Sequence, residues 1–364
     1  MSTASLKRLG SVLGRFGAAH QIFWPVVTLG VLLLICVLVQ PGFLRLGWVN
    51  GHLQGNLIDV LNRAAPLMLV AIGMTLVIAI RGLDISVGAV VAIAAAVAAL
   101  LIGGSVDTGT GLYASRVPLG LAIAGALASA ALCGLWNGLL VVKVGMQPIV
   151  ATLILMVAGR GIAQLITDGQ ILTLYYTPYF YIGNGYLAGL PFASFIVALV
   201  AVGVSLALNK TALGLFVRSI GINPVAARVA GVRSRLITVC LYVFCGLTAG
   251  LAGLIISSNV KSADANNAGQ LMELDAILAV ALGGTPLTGG RFSLGGSILG
   301  ALIIQTLTSL IYSSGVPPEV NLVFKAVLVF AVMLLQSPEF REMAMKAVFR
   351  RPAASSERQS RVSS

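Results

Sequence analysis

Charge is scarce in this sequence. Only 9% of its 364 residues are charged, 58% are hydrophobic and the mean hydropathy is +1.00, which leaves too little polar surface to coat a water-soluble globule. Histidine is scarcer still: His20 and His52 are the only two. No His-Glu-x-x-His pair or nucleophile-elbow pattern is present, so the usual metal-hydrolase and serine-hydrolase constellations are excluded. The four cysteines, Cys36, Cys133, Cys240 and Cys245, all lie in apolar runs without metal-ligand spacing and read as small hydrophobic residues. No glycine-rich stretch leads into Gly-Lys-Ser/Thr, so the chain shows no nucleotide-binding loop. Acidic residues number 11 against 23 basic ones, a formal net charge of +12. The basic residues punctuate hydrophobic runs instead of clustering on one face, which argues against a nucleic-acid partner.

What is there in abundance is long apolar sequence. Runs of about 18 to 25 residues match the length a helix needs to cross the hydrocarbon of a bilayer, and only helices or closed barrels satisfy their backbone there. The fold expected is all-α: a polytopic helical membrane protein with about ten crossings centred near residues 31, 70, 94, 130, 158, 200, 246, 280, 303 and 328. Lys7, Arg8 and Arg15 precede the first run, Ile22 to Val39. That run leads into Gln40, Pro41 and Gly42, not a small-x-small cleavage site, so it reads as a retained span and not a signal peptide. With both termini in the cytoplasm, 17 of the 23 basic residues fall on the inner side, the positive-inside asymmetry. The chain divides into a cytoplasmic N-terminal tail (1–21), a transmembrane domain (22–336) and a cytoplasmic tail (337–364) with almost nothing to bury, expected to be disordered. The eighth crossing is short and runs into the glycine-rich bend of Gly283 and Gly284; a re-entrant segment there would put the basic C-terminal tail outside, against the same rule. Gly246/Gly250 and Gly296/Gly300 are spaced for close helix approach. Two short stretches, 82–88 and 290–295, echo one another in the way each joins an inward span to an outward one.

Three segments carry candidate mechanism. The longest inner loop, 209–235, contains Gly-Ile-Asn-Pro-Val-Ala-Ala-Arg-Val-Ala-Gly at 221–231. Asn223 is a good N-cap, Pro224 suits the first helical position and Gly231 can take the left-handed stop. The resulting stub is either a coupling helix for a cytoplasmic ATPase, using Gly221, Asn223, Pro224, Ala226, Ala227, Arg228 and Gly231, or an interfacial helix anchored at lipid headgroups by its arginines. The second segment, 73–88, places Asp84 and Ser86 beside a span. Asp84 reads as the cap of the third helix, accepting from N–H groups near Ser86 and Val87; Gly82 and Gly88 could also flex as a hinge. The third segment, 257–295, gathers Lys261, Asp264, Asn266, Asn267, Glu273 and Asp275 at the outer mouth, ahead of Gly283 and Gly284, as hydrogen-bonding groups for a sugar or a solvated loop. Arg160 within the fifth span must face protein or water. Asp84, Ser86, Asn137, Arg160, Asn267, Glu273, Asp275, Gly283 and Gly284 are the candidates for a translocation path, and Arg45, Arg116, Lys261 and Asp264 for docking a partner outside. The tyrosines 175, 176, 179, 181 and 186 read as an interfacial aromatic belt.

The pieces Gly-Leu-Asp-Ile-Ser-Val-Gly (82–88), 221–231, and Ala-Leu-Gly-Gly-Thr-Pro-Leu-Thr-Gly-Gly-Arg-Phe (281–292) together resemble the permeases of ribose, galactose and xylose-type ABC sugar importers, over roughly residues 56 to 336. Leu-Asn-Arg-Ala-Ala-Pro (61–66), Ala-Thr-Leu-Ile-Leu-Met-Val-Ala-Gly-Arg-Gly (151–161) and Ala-Asp-Ala-Asn-Asn-Ala-Gly (263–269) are most similar to the galactofuranose branch of that family. One departure is Arg81, where relatives usually carry a small residue, often glycine. The resemblance implies a multi-pass protein of the bacterial inner membrane that imports a monosaccharide and is not itself an enzyme. It implies no cofactor on this chain, since ATP and Mg would sit on a separate ATPase subunit. It implies a periplasmic sugar-binding protein and a second permease subunit, identical or paralogous. An ion-coupled secondary transporter, needing a buried carboxylate near mid-membrane, and an ABC permease for a non-sugar solute are the alternatives.

Overall fold

The computed structural model describes residues 22–49, 51–103 and 115–315, together with 322–323, 326–327 and 330. Both expected tails and nearly all of the crossing near residue 328 lie outside the described residues. The helices are α1 (Ile22–Val39), α2 (Asn56–Ala79), α3 (Val87–Ile102), α4 (Leu119–Leu139, continued by a π turn at Leu140–Val144), α5 (Pro148–Ile166), α6 (Thr177–Asn184), α7 (Phe192–Lys210), α8 (Leu213–Ile222), α9 (Pro224–Val229), α10 (Ser234–Val260), α11 (Met272–Leu282) and α12 (Leu294–Ser313). Among the described residues, seven are long and apolar enough to cross a membrane: α1, α2, α4 with its π turn, α5, α7, α10 and α12. These coincide with seven of the ten expected crossings. The runs near 94 and 280 are the shorter α3 and α11, of 16 and 11 residues, about 24 and 16 Å of helix, so neither covers the hydrocarbon alone.

Burial sorts the helices. The apolar window of α2 is 83% buried and that of α10 61%, against 17% for α1 and 22% for α4 and α7. In lipid a helix gains nothing by hiding leucine, so the discriminating feature is close packing of small residues. The alanine-rich α3 is buried along nearly its whole length between α4, α5 and α10, and its Ala94 and Val91 meet Gly253 of α10. A methyl group on Gly246 would strike the Ala130 carbonyl of α4, and one on Gly300 the Ala279 carbonyl of α11. The glycine spacings read from sequence are therefore contact points. The outer helices turn Leu121, Leu132, Val157, Leu165 and Leu199 outward, a surface suited to lipid.

The two ends differ. One carries α8, α9 and the 283–293 bend. The other carries three two-stranded ribbons: β1 (Gly47–Val49) with β2 (His52–Gln54), β3 (Leu172–Thr173) with β6 (Ser262–Ala263), and β4 (Tyr186–Leu187) with β5 (Leu190–Pro191). Here His52 stacks on Tyr186 with ring centroids 4.0 Å apart. Tyr179 corrects the aromatic-belt reading: it is fully buried, its hydroxyl 2.6 Å from Ser257 Oγ and donating to the Leu254 carbonyl at 3.2 Å. Its partners lie on α10, 75 and 78 residues away in sequence, which no local pattern reveals.

Candidate translocation and coupling site

The turn between α2 and α3 does not stay at the end of the bundle. After Arg81 the chain turns back inward, and Asp84 reaches Cys245, the twelfth residue of the 27-residue α10. Asp84 and Ser86 are 1% and 0% exposed. The Asp84 Oδ1 accepts from the Ser86 N–H (3.0 Å), the Ser86 hydroxyl (2.6 Å) and the Asn137 Nδ2 (3.2 Å), and Asn137 Nδ2 also lies 2.8 Å from Ser86 Oγ. Asp84 accepts from the Ser86 N–H, but Ser86 is itself the N-cap of α3, which has no side-chain cap; Asp84 therefore closes the turn ahead of the helix instead of capping it, and its other anchor is Asn137 of α4 and not the N–H of Val87. The loop is pinned from a third side by Thr152 of α5, whose hydroxyl accepts from the Ile85 N–H at 3.2 Å. A buried carboxyl persists only where donors surround it, and α4 and α10 supply them. The sequence reading set Asp84 at a span end; the structure sets it inside. α3 is short because its N-terminus begins in the interior.

From the opposite end the 264–271 segment descends to meet it. A methyl on Gly88 of α3 would collide with the Glu273 carboxylate and the Gly269 carbonyl, so the first turns of α3 and α11 touch. Glu273 is 3% exposed. Arg160 of α5 holds the descending segment: its Nη1 donates to the carbonyls of Ala265 (3.0 Å), Ala268 (2.7 Å) and Asn266 (3.4 Å). Its neighbour one turn on, Gln164, donates to Asn266 Oδ1. Asp264 closes the turn, accepting from the backbone N–H groups of Asn266 and Asn267 and from Asn267 Nδ2 at 2.7 Å. Slight burial works against the Asp264 carboxylate, but the donors on Asn267 and Asn266, with Arg160 nearby, outweigh it and hold its carboxyl below the usual range. Asp84, Ser86, Asn137, Arg160, Asn267 and Glu273 are therefore brought to two loops that meet at the start of α3. Asp275 lies on the first turn of α11, half-buried. Short helices that begin inside a bundle expose their N-terminal N–H groups to whatever passes.

Gly283 and Gly284 sit elsewhere, at the α9 end. Gly283 packs against Gly296 of α12, and Thr285 Oγ1 accepts from the Ser293 N–H at 3.1 Å, closing the bend. Next to it stands the stub read from sequence. Asn223 Oδ1 accepts from Val225 N and Ala226 N at 3.0 Å each, Pro224 opens α9, and Gly231 takes φ +84°. Gly221 is buried against the Ala79 carbonyl and Gly290, Ala227 is buried, and Asn223, Ala226, Arg228 and Gly231 are exposed. Arg81 ties two elements together. At φ +64° its Nε and Nη2 donate to the last carbonyls of α8, Gly221 and Ile222, both at 2.6 Å. Cations at a helix C-terminus are favourable. Arg45, Arg116 and Lys261 are exposed at the far end, Lys261 with its ammonium 5.1 Å from the Phe180 ring centre.

Sequence reasoning missed Thr152, Cys245 and the buried pair Thr75–Ser297 (2.7 Å, joining α2 to α12). Only a polar residue in an otherwise apolar run could have flagged the first and third.

These features define a class: a multi-pass helical membrane protein with interrupted helices meeting inside and a capped stub at one end. Residues 56–333 match the family described as "Branched-chain amino acid transport system / permease component", and the chain belongs to it. It is 49% identical to the galactofuranose transporter permease protein YtfT of Escherichia coli (strain K12), over 87% of this chain and 91% of that one. It is 37% identical to the fructose import permease protein FruF of Bifidobacterium longum over 90% of each, and 36% identical to the ribose import permease protein RbsC of Bacillus subtilis over 88% and 94%. No solved structure matches. The resemblance drawn from the motifs is borne out, and the chain is a transport-system permease component.

Proposed function

We propose that this chain is the membrane-spanning subunit of an ATP-binding-cassette importer that carries a monosaccharide across the bacterial inner membrane, with galactofuranose the leading cargo. The relatives' names support the substrate class. The mechanism rests on one observation: α9 is bounded by a cap and a left-handed stop, yet presents Val225 and Val229 at 67% and 85% exposure, beside Ile222 at 66%. Six residues make about 9 Å of helix, too short for an amphipathic anchor and the right size to fill a groove on an ATPase. With α9 and both termini in the cytoplasm, the basic residues fall as the positive-inside rule requires, and the chain crosses ten times counting α3 and α11. ATP and Mg then belong to the partner ATPase. A loaded binding protein docks at the ribbon end near Arg45, Arg116, Lys261 and Asp264, and a second permease subunit completes the path past Asp84, Asn137, Glu273 and Asn267.

The test is Val225→Glu and Val229→Glu in the complex reconstituted with its ATPase and binding protein. Charging an apolar docking face lowers uptake and stimulated ATP hydrolysis together by tenfold or more, with the permease still folded. Unchanged uptake rejects the coupling role. Because Asp84 and Glu273 are buried, the ion-coupled alternative is tested directly: uptake that survives ATP depletion and collapses with the ion gradient would replace the reading. Titrating the binding protein with furanose and pyranose sugars decides the cargo.

A further inference from the structure

Cations gather where the backbone is already positive. At the α9 end a cavity of about 300 Å³ opens between the turn after α2, the π turn of α4, and the starts of α5, α9 and α10. Arg81, Arg228 and Arg235 line it, with the hydroxyls of Ser234, Thr238 and Tyr242, and none of its lining residues carries a carboxylate. The 27-residue α10 begins there at Ser234; it has no side-chain cap and no acid in its first turn, and Arg233 and Arg235 flank its start. α5 also starts on this wall, at Pro148, without a side-chain cap. Arginines at a helix N-terminus oppose the macrodipole, so two helix starts and the arginines Arg228 and Arg235 line one cavity without a carboxylate among the lining residues, while Arg81 is already engaged at the α8 C-terminus. A second and independent sign is Ser234 itself: 5% exposed, with its Oγ lacking any hydrogen-bond partner. A buried hydroxyl left unpaired calls for a hydrogen-bond partner inside the cavity.

We propose that this cavity binds a phosphate group. Uncapped helix starts are anion sites by construction, and arginine forks match phosphate oxygens. Donors approach from several walls: Ser234 and Arg235 from α10, Arg228 from α9 and Arg81 from the α2–α3 turn, the last held in place by its bonds to Gly221 and Ile222. That arrangement suits a tetrahedral anion better than a planar carboxylate, which accepts along one edge. The phosphate comes either from an inner-leaflet lipid headgroup or from a soluble phosphate. The site shares Pro224 and Arg228 with α9, but the proposal does not rest on the coupling role of α9 and is tested without an ATPase.

The experiment uses the purified full chain. Delipidated protein is titrated with inorganic phosphate against chloride at matched ionic strength, reading thermal unfolding. In parallel, protein released from phospholipid nanodiscs is weighed by native mass spectrometry. Saturable stabilisation by phosphate that weakens at least tenfold in Arg235→Gln, and is also reduced in the minimal Ser234→Ala, supports a soluble source. A retained phospholipid that both variants lose supports the lipid source. If wild type binds neither, or the two variants bind as wild type does, the proposal is overturned. It is equally overturned if phosphate fails to bind and Arg235→Gln weakens only association with an ATPase subunit, since the occupant is then a protein carboxylate.

Discussion

Replacing Arg160 by glutamine tests the view that this arginine fastens the 264–271 segment and does not serve as a sugar ligand. Its Nη1 reaches three carbonyls, at 2.7, 3.0 and 3.4 Å, but carries only two hydrogens, so the three share about two full bonds. At about 1.5–3 kcal/mol for a bond from a charged donor, the ceiling is about 3–6 kcal/mol. Asn266 is exposed, and water can replace the arginine at its carbonyl, which lowers the net loss to about 2–4 kcal/mol. Each 1.4 kcal/mol is a factor of ten, so the open form of the segment should rise by about 30- to 1,000-fold. The assay is hydrogen exchange of the backbone amides between 264 and 272, several of which bond within the turn: Ala268 N–H to the Asp264 carbonyl, Gln270 N–H to Asn267 and Met272 N–H to Gly269. Arg160→Lys keeps the charge without the planar fork and falls between the two. Exchange unchanged within threefold in the glutamine variant, with uptake still lost, would refute the fastening role and assign Arg160 to the cargo.

Asn137→Ala removes the donors at 3.2 and 2.8 Å from Asp84 and Ser86 and should lower stability by about 1–3 kcal/mol, read as a shift in thermal melting in detergent. Gly134→Val places its Cβ against the Tyr242 carbonyl and within 2.8 Å of Val243 Cα; backbone cannot step aside, so a loss of about 1–3 kcal/mol or more is expected, visible as reduced folded yield. Arg81→Gly relieves the φ +64° backbone but removes both bonds to α8; it should raise ATP hydrolysed per sugar imported in the reconstituted complex while leaving folded yield near wild type. The folded-state carboxyl of Asp264 lies below its ordinary 3.8, so the carboxylate stabilises its turn above that pH and the contribution is lost as pH falls through the depressed value. Exchange in 264–271 should therefore rise below pH 3.8 in wild type, and Asp264→Asn should lack that step.

The apolar run lengths carried the seven long helices, because hydrocarbon thickness dictates length. Local capping chemistry carried α9 to within a residue, since Asn223, Pro224 and Gly231 act on their own neighbours. Depth was not legible. Hydropathy cannot separate a polar loop at a membrane face from one folded back into the bundle, and the segments around Asp84 and Asp264 look alike by composition in either place. The interior position of Asp84 depends on Asn137, Thr152 and Cys245, 53 to 161 residues distant, and the descent of the segment after Asp264 depends on Arg160, 104 residues from Asp264, all on helices whose packing the run lengths do not encode. Arg160 was legible only as a constraint: it had to meet polar groups, and backbone carbonyls met it.

The motifs read as three separate signatures converge, and that convergence constrains how the molecule can move. The end of α2 just ahead of the 82–88 turn, the 221–231 stub and the 283–293 bend touch at one place: Gly290 N–H donates to the Ala79 carbonyl at 2.9 Å, Gly221 packs on both, and Arg81 ties the end of α2 to α8. Gly82 has Tyr242 Oη 2.8 Å from where a Cβ would be, and Gly88 faces Glu273 and Gly269. These glycines are packed and not slack, so close approach explains them without a hinge. A push on α9 therefore meets a unit that includes the ends of α2 and α8 and the bend leading into α12. In the proposed import cycle, motion passed from α9 is rigid-body rocking of that unit, and the place where it alters the proposed interior path is the junction of α3 and α11, at Gly88, Gly269 and Glu273.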